Sequence, residues 1–125
     1  MSITLPEILV ILLIHWFSDF VLQSDEQAKN KSKSNAALTQ HVATYSLVWF
    51  FFANAYTIVT QNYNMEFFAL ITFGCHWVTD YFTSRLNSKL YAKGDIHNFF
   101  VSIGADQYLH FAQLFITFYL LKNAG

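Results

Sequence analysis

The sequence predicts an all-α protein, a four-helix transmembrane bundle built from two related helical hairpins. Three observations point there. Four apolar stretches of membrane-spanning length follow one another; 54% of the residues are apolar against 12% charged; and a polar motif in the first half recurs in the second. An ordinary soluble domain is about one quarter charged. A single domain of 125 residues with so few charges lacks the side chains to cover a water-facing surface.

The stretches lie at 5–22, 36–59, 67–82 and 99–121. Each is roughly 16–24 residues, about the length that crosses a ~30 Å hydrocarbon core. Pro6 suits the first turn of the first helix, where its missing N–H costs nothing. No Lys or Arg precedes that apolar run and no small-residue cleavage site follows it, so the helix is expected to be retained rather than removed as a signal peptide. Residues 24–35 carry Asp25 and Glu26, then Lys29, Lys31 and Lys33, which fits a short helix lying on a membrane surface. Residues 61–66 read as a short turn and 87–98 as a mixed segment.

The Lys and Arg residues set an orientation. Six of the seven fall in the first and third loops, as Lys29, Lys31, Lys33, Arg85, Lys89 and Lys93; the seventh is Lys122. Positive charge accumulates on the cytoplasmic side. Loops 24–35 and 87–98 are therefore expected in the cytoplasm and both termini outside, in a cell inner (plasma) membrane. A net charge of −1 gives no reason to expect nucleic acid as a partner. The single cysteine, Cys75, excludes an intramolecular disulfide. Self-association into a homo-oligomer is left open.

Into the apolar stretches the sequence sets His15 and Asp19, His41, His76 and Asp80, and Asp106 and His110. Three helices thus carry a His/Asp pair four residues apart, a spacing that puts both side chains on one face with Cβ atoms about 5–6 Å apart. The same faces continue in Ser18 and Gln23, Gln40 and Thr44, Thr72, Thr79 and Thr83, and Ser102, Gln113 and Thr117. In the inward-running first and third helices His precedes Asp; in the outward-running fourth Asp precedes His. Each Asp therefore falls nearer the cytoplasm and each His about one turn deeper, so all seven groups share one level. The segment His15-Trp16-Phe17-Ser18-Asp19-Phe20 recurs as His76-Trp77-Val78-Thr79-Asp80-Tyr81, a shift of 61 residues. Two hairpins about a pseudo-twofold axis along the membrane normal would place them so, as in parallel-repeat transporters.

Energetics separate accident from purpose. An ionised Asp at mid-bilayer costs roughly 2.5–3.5 kcal/mol on insertion scales, so three cost on the order of 8–10 kcal/mol, comparable with a domain's whole stability. Such groups must be paired, protonated, hydrated or bound to a cation. A divalent metal centre, zinc first, built from His15, Asp19, His41, His76, Asp80, Asp106 and His110, is the leading expectation, since neutral imidazole and carboxylate are its accepted ligands. Seven groups exceed a mononuclear need, so either two metals sit together or some Asp residues hold the second ring N–H of a ligating His. With an open position the centre is a metal-dependent hydrolase, with Asp19, Asp80 or Asp106 as general base. Its basic rim of Lys29, Lys31, Lys33, Arg85, Lys89 and Lys93 would favour an anionic lipid or phosphate-bearing substrate. The alternatives are a proton- or metal-ion-conducting protein, and a non-catalytic interaction protein whose cluster merely ties helices together. His97 is expected at the interface, Cys75 in packing, and Trp16 and Trp77 toward lipid or a neighbouring helix.

The pattern His15-x-x-x-Asp19-Phe20-x-Leu22-Gln23, Ala28-Lys29-Asn30-Lys31, His41, His76-x-x-x-Asp80 and Asp106-Gln107-x-x-His110 resembles a family of small multi-pass bacterial and phage membrane proteins classed as a domain of unknown function. The resemblance spans nearly the whole chain and implies a multi-pass fold with Gln23 and Gln107 supporting the site. A weaker likeness, in the intramembrane use of His and Asp, is to bacterial membrane-bound metal-dependent hydrolases, whose His-Arg opening motif this chain lacks.

Overall fold

In the computed structural model, which describes residues 1–124, the chain is all-helical. Helix α1 (Leu5–Trp16) opens with a reciprocal cap: Thr4 accepts from the Glu7 backbone N–H and Glu7 returns to the Thr4 N–H. Pro6 sits in its first turn, as expected. The helix does not simply continue to residue 22. Over Phe17–Val21 it widens into a π turn, with Leu22 N–H donating to Phe17 O at 3.0 Å. Ser18 contributes to the break, since its hydroxyl donates to Ile14 O at 2.7 Å.

A three-residue link, 22–24, leads to α2 (Asp25–Asn30), a short helix capped by Ser24 and Gln27. Helix α3 (Asn35–Thr60) ends at Gln61, whose φ of 59° turns the chain through the left-handed region. A 3-10 turn (Tyr63–Phe67) then feeds α4 (Phe68–Ala92). This helix runs ten residues past the apolar stretch that announces it, from 82 to 92. Beyond residue 82 its side chains are polar on most faces, so helical geometry persists there without an apolar stripe to mark it. The α4–α5 link is three residues long, 93–95. Gly94, at φ +72°, allows Gly94 N–H to reach Tyr91 O and Asp95 N–H to reach Leu90 O, a Schellman closure. Asp95 then caps α5 (Ile96–Asn123) by accepting from Asn98 N–H.

The four long helices run up and down in ring order α1, α3, α4, α5, with α1 packed more sparsely on its neighbours than α4 is. One end gathers both termini and the 61–67 turn: Lys122 Nζ holds Glu7 at 2.9 Å and Asn62 reaches the carbonyls of Leu121 and Lys122. The other end carries α2, where Ser88 donates to Ser32 at 2.8 Å.

Polarity inside the bundle splits into two layers. Toward the termini lies an apolar core of Ile11, Trp49, Met65, Phe68, Leu114 and Phe118, all fully enclosed. Toward α2 the interior is polar, with His15, Asp19, His41, His76, Asp80, Asp106 and His110 all buried. The outer surface is the reverse: Leu9, Leu13, Phe50, Phe51, Ile58, Leu70, Phe82, Phe100, Ile116 and Leu120 stand exposed. Among the described residues one helix, α3, is by itself long and apolar enough to cross a membrane, with a mean hydropathy of 1.4. Inward-facing His and Asp residues lower the average of α4 and α5.

Candidate metal centre

The centre is assembled from every long helix at one level. His41 comes from the second turn of α3, His76 and Asp80 from mid-α4, Asp106 and His110 from mid-α5, and Asp19 from the π turn. Four ligand atoms converge. His41 Nε2 lies 2.9 Å from Asp19 Oδ1 and 3.3 Å from Asp80 Oδ2. His76 Nε2 lies 3.5 Å from Asp19 Oδ1 and 3.3 Å from Asp80 Oδ2. The two imidazole nitrogens face each other at 3.4 Å. Ligands about 2.0–2.2 Å from a tetrahedral zinc ion stand about 3.3–3.6 Å from one another. The edges of this cage fall at or slightly inside that range.

A second group adjoins it. His110 Nε2 is 3.1 Å from Asp80 Oδ1 and 3.2 Å from Asp106 Oδ1, so that Asp80, Asp106 and His110 also form a set able to hold an ion. Asp80 belongs to both groups, offering Oδ2 to the first and Oδ1 to the second. A carboxylate placed this way could be shared by ions held in the two groups.

Direct His–Asp hydrogen bonding does not account for the first cage. Asp19 Oδ1 is buried and, despite its close nitrogens, has no donor aligned on it. Two Nε2 atoms aimed at each other leave at most one N–H for that contact. A cation held there would satisfy Asp19 Oδ1 and both Nε2 lone pairs at once.

His15, expected among the ligands, stands outside both groups. Its Nε2–H donates to Gln107 Oε1 at 2.7 Å, which leaves Nδ1 to accept from the Tyr45 hydroxyl at 2.8 Å; Asp19 Oδ2 is 3.6 Å away. Gln107 Nε2 in turn donates to Asp106 Oδ2 at 3.2 Å. A chain of hydrogen bonds therefore runs from Tyr45 through His15 and Gln107 to a carboxylate of the second group. Such outer contacts fix the orientation of ligands and tune the ion they hold. Thr83 completes the set by donating to Asp106 Oδ1 at 2.5 Å.

Tyr45 escaped the sequence reading. It is fully buried and stacks on the His76 ring, centroids 3.9 Å apart, while the other face of His76 stacks on His110 at 4.0 Å. The signal was present: Tyr45 lies one helical turn after His41. Gln23 lines the space above the centre, and its Oε1 has no hydrogen-bond partner in the protein. Gln40, expected on the inner stripe, is exposed, as are His97 and Cys75. Trp16 is exposed, and Trp77 donates to Thr39 on α3 at 3.1 Å.

Above the cluster lies a cavity of about 720 Å³, open toward the α2 end. Asp19, Asp106 and Gln107 form its floor, whereas Asp80 does not reach it. Of the six basic residues singled out, Lys29, Lys31 and Lys33 line this cavity. Arg85 is held elsewhere, stacked on Tyr81 at 3.7 Å and donating to Asn35, and Lys89 and Lys93 are exposed outside it. Lys31 goes deepest, its Nζ reaching 3.4 Å from Asp80 Oδ2.

Fold and site together define a helical-bundle protein with a buried His/Asp centre able to hold metal ions. The chain belongs to the family described as "Protein of unknown function (DUF3307)", which matches residues 8–124. No curated protein and no solved structure matches it.

Proposed function

We propose that this is a multi-pass membrane protein with a two-metal His/Asp centre near its cytoplasmic face, acting as a metal-dependent hydrolase on a lipid or phosphate-bearing substrate. The observation that carries the reading is Asp80, whose two oxygens are shared between two convergent ligand groups. Zinc suits the first group, two imidazoles and two carboxylates at tetrahedral spacing. Paired metals about 3.5–4 Å apart supply an activated water at neutral pH and charge stabilisation for a displacement. Asp19 faces the cavity and keeps Oδ2 outside the first group, so it would take the proton from such a water; Asp106, whose Oδ2 accepts from Gln107, and Asp80 would hold the ions.

Support for the membrane comes from the inversion of polarity, with carboxylates and imidazoles inside and Leu, Ile and Phe outside. Contiguous exposed apolar surface on this scale marks an interaction with lipid or protein, and it surrounds the bundle rather than one face. Buried ionisable residues in such a setting are functional by default. Conduction is the weaker reading, because the layer of Ile11, Trp49, Met65, Phe68, Leu114 and Phe118 closes the bundle between the centre and the termini.

Elemental analysis of detergent-purified protein, beside a His76→Ala plus Asp80→Ala double variant, tests the centre. About two equivalents of a divalent metal in the wild type and almost none in the variant are expected. Substoichiometric metal in the wild type removes the hydrolase reading. Alkaline carbonate extraction of host membranes tests the remainder: release into the supernatant would end the multi-pass assignment.

A further inference from the structure

The cavity over the centre has two unlike walls. One is built by the end of α2 and the turn after it, which present Lys29, Lys31 and Lys33. The facing wall, between the π turn and the first turns of α5, is Phe20, Phe99 and Ile103. Donors therefore crowd one side and apolar surface the other. Its volume, about 720 Å³, falls within the range of pockets that enclose small ligands, about 300–1,000 Å³. Three further polar atoms, Gln23 Oε1, Ser84 Oγ and Asn87 Oδ1, are buried along this lining without a partner in the protein. Buried polar atoms need a partner, and these three belong to residues that line the cavity.

Lys31 connects the cavity to the chemistry. It is the one basic side chain among the described residues that reaches a carboxylate of the cluster, and it does so at Asp80. An ammonium at that point lies where an anionic group bound over the centre would be met from the opposite side. A Lys ammonium is a compact charge with three donors, suited to phosphate as a point charge rather than as a bidentate fork.

We infer that the cavity is a binding site for the phosphate ester of an amphiphile. Lys31 holds the phosphate over the centre, and the apolar part lies against Phe20, Phe99 and Ile103. The inference rests on the hydrolase reading for its purpose but not for its geometry, since the cavity and its two walls exist without reference to turnover.

The test uses full-length protein in detergent and two probes, dihexanoyl phosphatidate and inorganic phosphate, with binding followed by calorimetry and metal content measured on the same samples. Phosphatidate is expected to bind the wild type at least tenfold more tightly than phosphate does. Lys31→Ala should weaken both probes at least tenfold, with Lys31→Arg restoring most of the loss. Ile103→Trp, which fills the apolar wall, should weaken phosphatidate alone. Equal affinity for the two probes, or undiminished phosphatidate binding in Lys31→Ala, overturns the inference. Phosphatidate binding through Lys31 in protein devoid of metal would sustain it while removing the hydrolase reading, so the two fail separately.

Discussion

The chain contains the same six-residue pattern twice, and the two copies do different things. On α4, His76 and Asp80 lie in regular helix, 3.3 Å apart, and both enter the first ligand group. On α1, His15 and Asp19 straddle the start of the π turn, and the pair is divided. Asp19 joins His41 and His76, while His15 turns to Tyr45 and Gln107. The difference lies in the backbone. A π turn inserts one residue into the helical repeat and rotates the side chains beyond it, and Ser18, in the place of Thr79, spends its hydroxyl on the Ile14 carbonyl there. One motif thus supplies two candidate ligands, and its copy one candidate ligand and one support. π turns concentrate at functional sites, and this one re-aims a carboxylate.

If Asp80 is the bridge and Asp19 a ligand of one group only, substitutions should separate the copies by size of effect. Asp80→Asn strikes both groups and should abolish metal retention through purification, read as metal per protein by mass spectrometry. Two equivalents retained would dissolve the distinction between the copies. Asp19→Asn should remove one equivalent and leave the Asp80–Asp106–His110 group loaded; loss of both would mean that the groups fill only together. His15→Ala should keep both metals but weaken them roughly 10–100-fold, the usual cost of an outer hydrogen bond to a ligand, measured by chelator competition. An effect as large as that of His76→Ala would make His15 a ligand after all. Smallest is Ser18→Ala, which removes a hydroxyl shared between the Ile14 and His15 carbonyls, a contribution of about 1 kcal/mol. It should lower the thermal midpoint slightly at unchanged metal content, and metal loss there would show that the π turn depends on this hydroxyl.

Much of this arrangement was legible in the residues alone, because helical periodicity carries it. Spacings of four put His76 with Asp80 and Asp106 with His110 on single faces, and alternating helix direction brought all seven groups to one level. The features that escaped detection depended on departures from that periodicity. A π turn leaves no signature in a hydrophobic pattern, so the diversion of His15 was invisible. The continuation of α4 to Ala92 was missed because a helix without an apolar face gives no stripe. Lys31 read as a topology signal and as one of six basic rim residues, and only the return of α2 over the bundle's end brings it to Asp80. Tyr45 was overlooked for a simpler reason: aromatic residues are 19% of this chain, so one more carried no contrast.

Cys75 gains importance from its position. It is the sole thiol in the chain, it is exposed, and it immediately precedes His76 on α4. Neighbouring helical residues project about 100° apart, so a label attached there sits beside the centre without entering it. A single maleimide dye on the unmodified protein would become a depth gauge. Quenchers fixed at known positions along lipid chains would report whether the His/Asp layer lies below the headgroups and at what depth, with no engineered cysteine required.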